Sequence, residues 1–384
     1  MRALLAVTWP LLLGCAFMML GNGLQGSLLG LRATIEGFPT ILTGLVMSAY
    51  FAGFFAGANL VPKIVQRVGH VRAFAALIAL ASIANLAQAA FVNWPVWTVM
   101  RAATGFSFIG LYIVCESWLN SITANETRGR LLSFYMAVQF GSVTASQLLL
   151  NLASPAGHEL FILVSALLTA AILPVAIMAG STPRFDAPSH ISLVGLYRAS
   201  PLAVVSMLGV GMTTSVFAGM AAVYAKKIDL PDFEISIFLT AGMLGAAVGQ
   251  WPLGRLSDRL PRRLVLLFAT LAAAAVAALA ATLTGAAFGV LCLLAFLFGL
   301  LSPPLYSICC ALANDRLRPE QMVAASSGLI LLYGIGAFTG PLTVGAVMSG
   351  VGPAGFFSYL AFVHGAVGAF AIYRITRVAG QRAA

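Results

Sequence analysis

The sequence predicts an all-α membrane protein with twelve transmembrane helices in two pseudo-symmetric six-helix bundles and both termini in the cytoplasm. Three observations carry this reading. First, 60% of the 384 residues are hydrophobic and only 8% are charged, against about 25% charged in a soluble domain. A water-soluble fold cannot hide that much apolar surface, so the solvent is a bilayer. Second, the apolar residues fall in continuous runs of about 20, the length a helix needs to cross the hydrocarbon core. They do not alternate as the strands of a membrane barrel do. Third, a short basic turn occurs twice. One copy is Pro62-Lys63-Ile64-Val65-Gln66-Arg67-Val68-Gly69-His70-Val71-Arg72, the other Gly254-Arg255-Leu256-Ser257-Asp258-Arg259-Leu260-Pro261-Arg262-Arg263. Gln66 and Asp258 are 192 residues apart, half the chain, as two copies of one design would be.

The net charge of +10 does not point to nucleic acid, because the cations sit in the turns. With the N-terminus in the cytoplasm, the inner turns hold 17 of the 21 Lys and Arg; Arg32, Arg101, Lys226 and Lys227 fall on or near the outer side. That asymmetry sets the orientation. Cys15, Cys115, Cys292, Cys309 and Cys310 lie in or at the ends of apolar stretches without metal spacing. They read as reduced packing residues, with no metal and no cofactor.

Segment 1, 5–31, contains Leu12-Leu13-Gly14-Cys15, which looks like a lipoprotein cleavage box. The apolar run continues through Leu29, too far for a signal peptide, so an uncleaved helix is expected. Its Asn22 and Gln25 lie near one face, among glycines that admit a close neighbour. They can meet a ligand or bond between helices. Segment 2, 39–61, ends at the first basic turn and segment 3, 71–92, follows it. Segment 4, 96–118, is preceded by Trp94 and includes Trp97, read together as interfacial aromatics. At about 100° per residue, Phe108 and Tyr112 share the Arg101 face and Glu116 lies about 60° off it. An aromatic stripe with one Arg and one Glu suits a binding cavity. The alternatives are snorkelling of Arg101 to the outer interface and a salt bridge from Glu116 to Arg128 or Arg130. Segments 5 and 6, 131–153 and 159–180, complete a bundle over 1–180, and the polar connector 181–199 follows.

The second bundle covers 200–384. Segment 7, 200–225, has the mid-span hydroxyls Thr213-Thr214-Ser215, which can serve a ligand or bond back to their own helix. Segment 8, 235–254, leads into the second basic turn and segment 9, 263–284, leaves it. Segment 10, 286–312, contains Ser302-Pro303-Pro304-Leu305-Tyr306-Ser307. The prolines cannot donate to the carbonyls of Gly299 and Leu300. A broken helix is expected there, either a hinge with a substrate contact or a structural kink. Segment 11, 323–348, has Gly336, Gly340-Pro341 and Gly345, suited to close packing and bending. Segment 12, 355–376, carries His364, expected to be packed or hydrogen-bonded.

Twelve helices in two halves, with a basic turn after the second and the eighth, resemble the major facilitator superfamily. The family turn pattern is Gly-x-Leu-x-Asp-Arg-x-Gly-Arg-Arg. The second copy keeps Gly254, Leu256, Asp258, Arg259, Arg262 and Arg263, with Pro261 for the Gly; the first keeps Arg67 and Gly69, with Gln66 for the Asp. Gly30-Leu31-Arg32 and Glu116-Ser117-Trp118-Leu119 are similar to the bacterial YcaD-like subgroup. The resemblance implies a cavity lined by segments 1, 4, 7 and 10, hence a substrate path of Asn22, Gln25, Arg101, Phe108, Tyr112, Thr213, Thr214, Ser302 and Tyr306. Arg101 four residues before Gly105 is similar to the family's helix-4 motif associated with proton coupling; Glu116 and Glu36 are the carboxylates that could carry the proton. The turns imply a cytoplasmic gate of Gln66, Arg67, Gly69, Gly254, Asp258, Arg259, Arg262 and Arg263. Asp258 can cap a helix or pair with a cation, whereas Gln66 brings no charge, so the gating load falls on Asp258. Segment 5, Gln139-Phe140-Gly141-Ser142-Val143-Thr144, lacks the Gly-Pro signature of many antiporters in the family.

No phosphate loop is present, so energy comes from an ion or substrate gradient. The expectation is a monomeric, multi-pass inner-membrane transporter, not an enzyme, in contact with lipid and working by alternating access coupled to protons. Its substrate would be a neutral or anionic small organic solute. The alternatives are an uncoupled exporter of small molecules or drugs, and a sensor or assembly partner of the same fold that does not transport.

Overall fold

The computed structural model describes residues 2–121, 123, 125–177, 193–283, 285–317 and 319–383, and no strand occurs among them. The helices are α1 (Arg2–Ile35), α2 (Thr40–Val68), α3 (His70–Ala90), α4 (Trp94–Ser121), α5 (Asn125–Leu148), α6 (Glu159–Ala170), α7 (Ile172–Ile177) and α8 (Leu193–Ala199). They continue as α9 (Pro201–Lys227), α10 (Asp232–Arg259), α11 (Arg262–Thr282), α12 (Phe288–Leu301), α13 (Leu305–Asn314), α14 (Pro319–Val351) and α15 (Gly355–Ala383). Residues 178–192, the end of the expected sixth segment and residues 181–192 of the expected connector, lie outside the described residues; residues 193–199 of the connector form α8.

Eleven of these stretches, with α6 and α7 counted as one and α12 and α13 as another, are long and apolar enough to cross a membrane. The expected fifth segment is a helix, α5, but falls outside that set: it opens Asn125-Glu126-Thr127-Arg128 and carries Gln139, Ser142, Thr144, Ser146 and Gln147. Large apolar side chains face outward, among them Phe362 (74% exposed), Leu173 (67%) and Phe268 (66%). In water each would forfeit about 1.5–3 kcal/mol of burial; against lipid they sit where such side chains belong.

The chain separates into two compact units, residues 1–38 with 45–187 and residues 39–44 with 188–384. In the first, α1 packs on α5 and α6, and α3 on α4 and α6. In the second, α9 packs on α14, α10 on α12, and α11 on α15. Glycine makes the closest of these crossings. A Cβ at Gly53 would land on the Ala102 carbonyl, and one at Gly105 on the Tyr50 carbonyl, so α2 and α4 touch backbone to backbone. Gly245 and Gly249 bring α10 equally close to Phe296 and Leu300 of α12, and Gly336 and Gly340 of α14 lie against Leu208 and Met212 of α9. With no hydrophobic drive between helices in lipid, such close packing is what holds them together.

The two basic turns fold differently. Between α2 and α3 the chain reverses at Gly69 with φ 83, a conformation open to glycine. Between α10 and α11 it passes through extended Leu260 (φ −114, ψ 158) and Pro261 (φ −55). Proline at that position excludes the positive φ that the first turn uses.

One interfacial reading is corrected. Trp94 is exposed, but Trp97 is fully buried. Its indole N–H donates to the carbonyls of Gln88 (2.9 Å) and Phe91 (3.0 Å) at the end of α3. Those carbonyls would otherwise be unpaired at a helix terminus, and the satisfied ring packs inward against Phe38.

Candidate substrate path

The polar centre of the first unit is built on the α2–α4 crossing. Because Gly53 and Gly105 let the backbones touch, Tyr50 is held one turn from Arg101. The Arg101 guanidinium stands 4.7 Å from the centre of the Tyr50 ring, and the Asn22 side chain lies near the Tyr50 hydroxyl. One Arg101 terminal nitrogen donates to Gln25 Oε1 at 3.3 Å. Gln25 in turn donates from Nε2 to Gln88 Oε1 (3.0 Å), and Gln88 donates to the Trp97 carbonyl (3.3 Å). The chain of donors runs away from the cation, so each amide dipole turns its negative end toward it.

Arg101 is 7% exposed and its Nε has no partner. It therefore turns inward, toward α1 and α2, and does not snorkel. Among the described residues the ion pairs are Arg32–Glu36, Lys226–Asp232 and Arg262–Asp315, and none includes Arg101. A buried cation without an anion is costly, several kcal/mol before its contacts are counted. Amide oxygen and aromatic ring offset part of that; an anionic or strongly accepting ligand group would offset more.

Phe108 and Tyr112 follow Arg101 along α4, seven and eleven residues on. Phe108 is fully buried with its ring 6.4 Å from Tyr50, behind the cation–ring pair. Tyr112 is half-buried and donates to Met19 Sδ on α1 at 3.5 Å. Glu116 is exposed, fifteen residues and so about 22 Å along α4 from Arg101. No ion pair joins it to Arg130, and the Arg128 side chain lies outside the described residues. Glu36 pairs with Arg32 at 2.7 Å, and Arg32 also donates to the carbonyls of Pro155 (3.3 Å) and Gly157 (3.2 Å). That arrangement ties the end of α1 to the loop before α6.

In the second unit the helix between Phe288 and Asn314 is broken at Ser302–Pro304, as the prolines predict. Ser302 is fully buried and its hydroxyl is shared with Thr213 (3.2 Å) and His364 Nε2 (2.9 Å). His364 Nδ1 meets Thr270 Oγ1 at 2.9 Å. This four-residue network spans α9, the α12–α13 break, α15 and α11. It occupies the groups that were expected to meet substrate at Thr213 and Ser302. Thr214 points elsewhere, its hydroxyl buried without a partner. Tyr306 is half-buried, edge-on to Tyr333 at 5.4 Å.

Of the turn residues, Gln66, Arg67, Asp258 and Arg259 are exposed. Asp258 makes no ion pair among the described residues; Arg262 pairs instead with Asp315 after α13, while Arg263 lies in another cleft of the second unit. Gly69 is needed for its turn. At Gly254 a Cβ would meet nothing within 4 Å.

Tyr50, Gln88, Trp97, Thr270 and His70, whose ring meets Ser117 at 2.9 Å, do not stand out in the sequence as site residues. The one signal for Tyr50 is the small-residue spacing Gly53-x-x-x-Gly57 just beyond it, which marks a helix crossing.

Comparison with known proteins agrees over nearly the whole length. The family model described as Major Facilitator Superfamily matches residues 202–383, and that described as Sugar (and other) transporter matches residues 13–187. The chain is 28% identical over 340 residues to the MFS-type transporter YcaD of Escherichia fergusonii, covering 86% of each chain. It is 28% identical over 351 residues to the MFS-type transporter Ent638_1421 of Enterobacter sp. strain 638, covering 88% of each. Among solved structures it resembles the nucleoside transporter NupG, with a TM-score of 0.80 at 12% identity over 96% of this chain and 98% of that one. It also resembles an inward-facing bacterial homolog of the human lysosomal transporter Spinster, with a TM-score of 0.70 at 13% identity over 96% and 94%.

Proposed function

The chain belongs to the major facilitator superfamily, whose members move solutes across membranes, and from that premise we propose that it is a proton-coupled secondary transporter of a small organic solute bearing an anionic or strongly accepting group. The observation that carries this reading is Arg101: a buried cation without a carboxylate partner among the described residues, presented by Tyr50 and Gln25. A carboxylate or phosphate would accept from the guanidinium in paired hydrogen bonds, and an aromatic or apolar body would lie against Tyr50 and Tyr112. Thr214 and Tyr306 are the candidate path residues of the second unit.

In this reading twelve helices cross the inner membrane, α5 being the twelfth. Both termini lie in the cytoplasm, on the side where the Lys and Arg collect. The bundles 1–180 and 200–384 rock about a midplane site in a monomer. The basic turns form the cytoplasmic gate, with Asp258 free to pair when that side closes. Glu116 carries the coupled proton, since Glu36 is held by Arg32.

The test is thermal unfolding of the purified protein against a panel of metabolites, with Arg101→Ala in parallel. A ligand at 100 times its dissociation constant stabilises the fold by about 2.7 kcal/mol. An anionic hit that is lost in Arg101→Ala supports the assignment. A hit kept at full strength in the variant removes Arg101 from the site.

A further inference from the structure

A second cationic site lies in the second unit, away from the substrate path. Arg263, Arg316 and Arg374 converge on one cleft with Ser200, Pro201, Leu202 and Leu312. The cleft lies at one end of the bundle. Pro201 opens one candidate span and Arg263 is the second residue of another; Leu312 and Arg374 each lie two residues before the end of a third and a fourth. It therefore sits at the edge of the hydrocarbon core.

None of the three arginines has a hydrogen-bond or ion-pair partner among the described residues. The neighbouring carboxylate, Asp315, is taken by Arg262. Ser200 is the N-cap of α9 and only 5% exposed, yet its hydroxyl caps nothing and has no partner. Pro201 has no N–H to give, and the first backbone bond at this helix start is Val204 N to Ser200 O. The amides of Leu202 and Ala203 precede it. Three like charges, a serine hydroxyl that caps nothing and the positive end of a 27-residue helix thus face one cleft with no acid on its walls among the described residues. Left empty, the cations repel one another; an anion with several acceptor oxygens answers all three features.

We propose that this cleft binds an anionic phosphate group. Arginine fits phosphate through paired donors, and basic pockets between helices at a membrane edge suit the headgroup of an anionic phospholipid. The apolar walls, Leu202 and Leu312, lie where the first carbons of an acyl chain would run. A soluble phosphate ester offers the same oxygens without the chain.

The experiment separates the two sources. Delipidated, purified protein is unfolded thermally in three media: micelles with phosphatidylglycerol, micelles with phosphatidylcholine, and phosphatidylcholine micelles plus inorganic phosphate at matched ionic strength. Native mass spectrometry counts retained lipid. Phosphatidylglycerol is expected to raise the midpoint and remain bound. The triple substitution Arg263→Gln, Arg316→Gln, Arg374→Gln should abolish both effects, while Arg255→Gln, whose guanidinium lies on Trp251, should keep them. Each single substitution should weaken retention by about tenfold, one charge-assisted hydrogen bond, so the result survives if the triple variant fails to fold. A shift from inorganic phosphate alone, lost in the same variants, assigns the site to a soluble phosphate. Equal shifts in wild type and variants, or no shift with either probe, overturn the proposal.

Discussion

The guanidinium of Arg101 lies 4.7 Å from the centre of the Tyr50 ring, and no carboxylate pairs with it among the described residues. A cation–ring contact of this kind contributes about 0.5–2 kcal/mol. Tyr50→Leu removes it and should weaken ligand binding by about tenfold. Tyr50→Phe keeps the ring and loses only the hydroxyl near Asn22, so its effect should be a few-fold. Arg101→Lys keeps the charge but not the paired donors and should resemble Arg101→Ala for a carboxylate ligand. Calorimetric affinities across the four variants check the order. Equal affinity in Tyr50→Leu and wild type would mean that the ring does not support the cation in the liganded state.

The same arrangement depends on glycine contacts remote from any ligand. A Cβ at Gly105 would land on the Tyr50 carbonyl. Gly105→Ala must therefore push α2 from α4 and carry Tyr50 away from Arg101. Overpacking costs about 1–3 kcal/mol, and backbone gives way less readily than side chain, so the upper end is expected. Gly141→Ala, inside α5 where a Cβ meets nothing within 4 Å, should not lower the unfolding midpoint and gains about 0.8–1 kcal/mol of helix propensity. The pair compared in one thermal assay isolates the crossing.

How much of this was legible in the sequence differs by feature. Helix place followed from apolar run length for eleven of the twelve expected spans, the polar α5 being the exception, and the break at Ser302–Pro304 from the missing donors of two prolines. Arg101 and Gln25 were legible as polar groups at membrane depth. Tyr50 was not, because a tyrosine in an apolar helix is ordinary until the glycines beside it are seen to fix a crossing. The sequence leaves Thr213 open between a ligand and its own helix, and Ser302 between a substrate contact and a structural kink; Thr213 does bond back, to the Gly209 carbonyl at 3.1 Å. The structure joins them to His364 and Thr270, partners 62 to 94 residues away from the groups they meet, and side-chain pairing at that separation leaves no periodic trace. Trp97 was misread because interfacial tryptophan and buried tryptophan look alike until a partner for the indole N–H is known.

His364 joins two hydroxyls across the broken helix, Ser302 at 2.9 Å and Thr270 at 2.9 Å. His364→Leu leaves both without that partner. An unsatisfied buried group costs about 1–3 kcal/mol, but Ser302 keeps Thr213 and Thr270 keeps the His364 carbonyl at 3.4 Å. The loss should therefore lie near the lower figure for each. His364→Gln should restore part of it. Thermal unfolding reads the stability, and transport assays should show the maximal rate falling more than the substrate affinity, since the network holds the break and not the ligand.

Glu116 is exposed on α4 with no ion pair among the described residues, whereas Glu36 is bound to Arg32. A proton carrier must exchange with water and change charge without unmaking the fold. Glu116→Gln should abolish uptake driven by a pH gradient in proteoliposomes while counterflow of unlabelled for labelled substrate persists. Glu36→Gln should instead lower the unfolding midpoint, by about 0.5–1 kcal/mol for a partly exposed pair, with coupling intact. Full gradient-driven uptake by Glu116→Gln would exclude it as the carrier.

The two motif glycines should respond to alanine with opposite signs. Gly69 turns the chain at φ 83, where a Cβ costs about 1–2 kcal/mol, so Gly69→Ala destabilises. Gly254 lies inside α10 with open space around it. There alanine adds no clash and gains about 0.8–1 kcal/mol of helix propensity. Gly254→Ala should raise the unfolding midpoint, unless that space is filled when the cytoplasmic side closes. Transport separates the cases: a variant that is more stable yet slower identifies Gly254 as a contact of the closed gate, and one that is more stable and fully active shows its motif position to be structurally neutral.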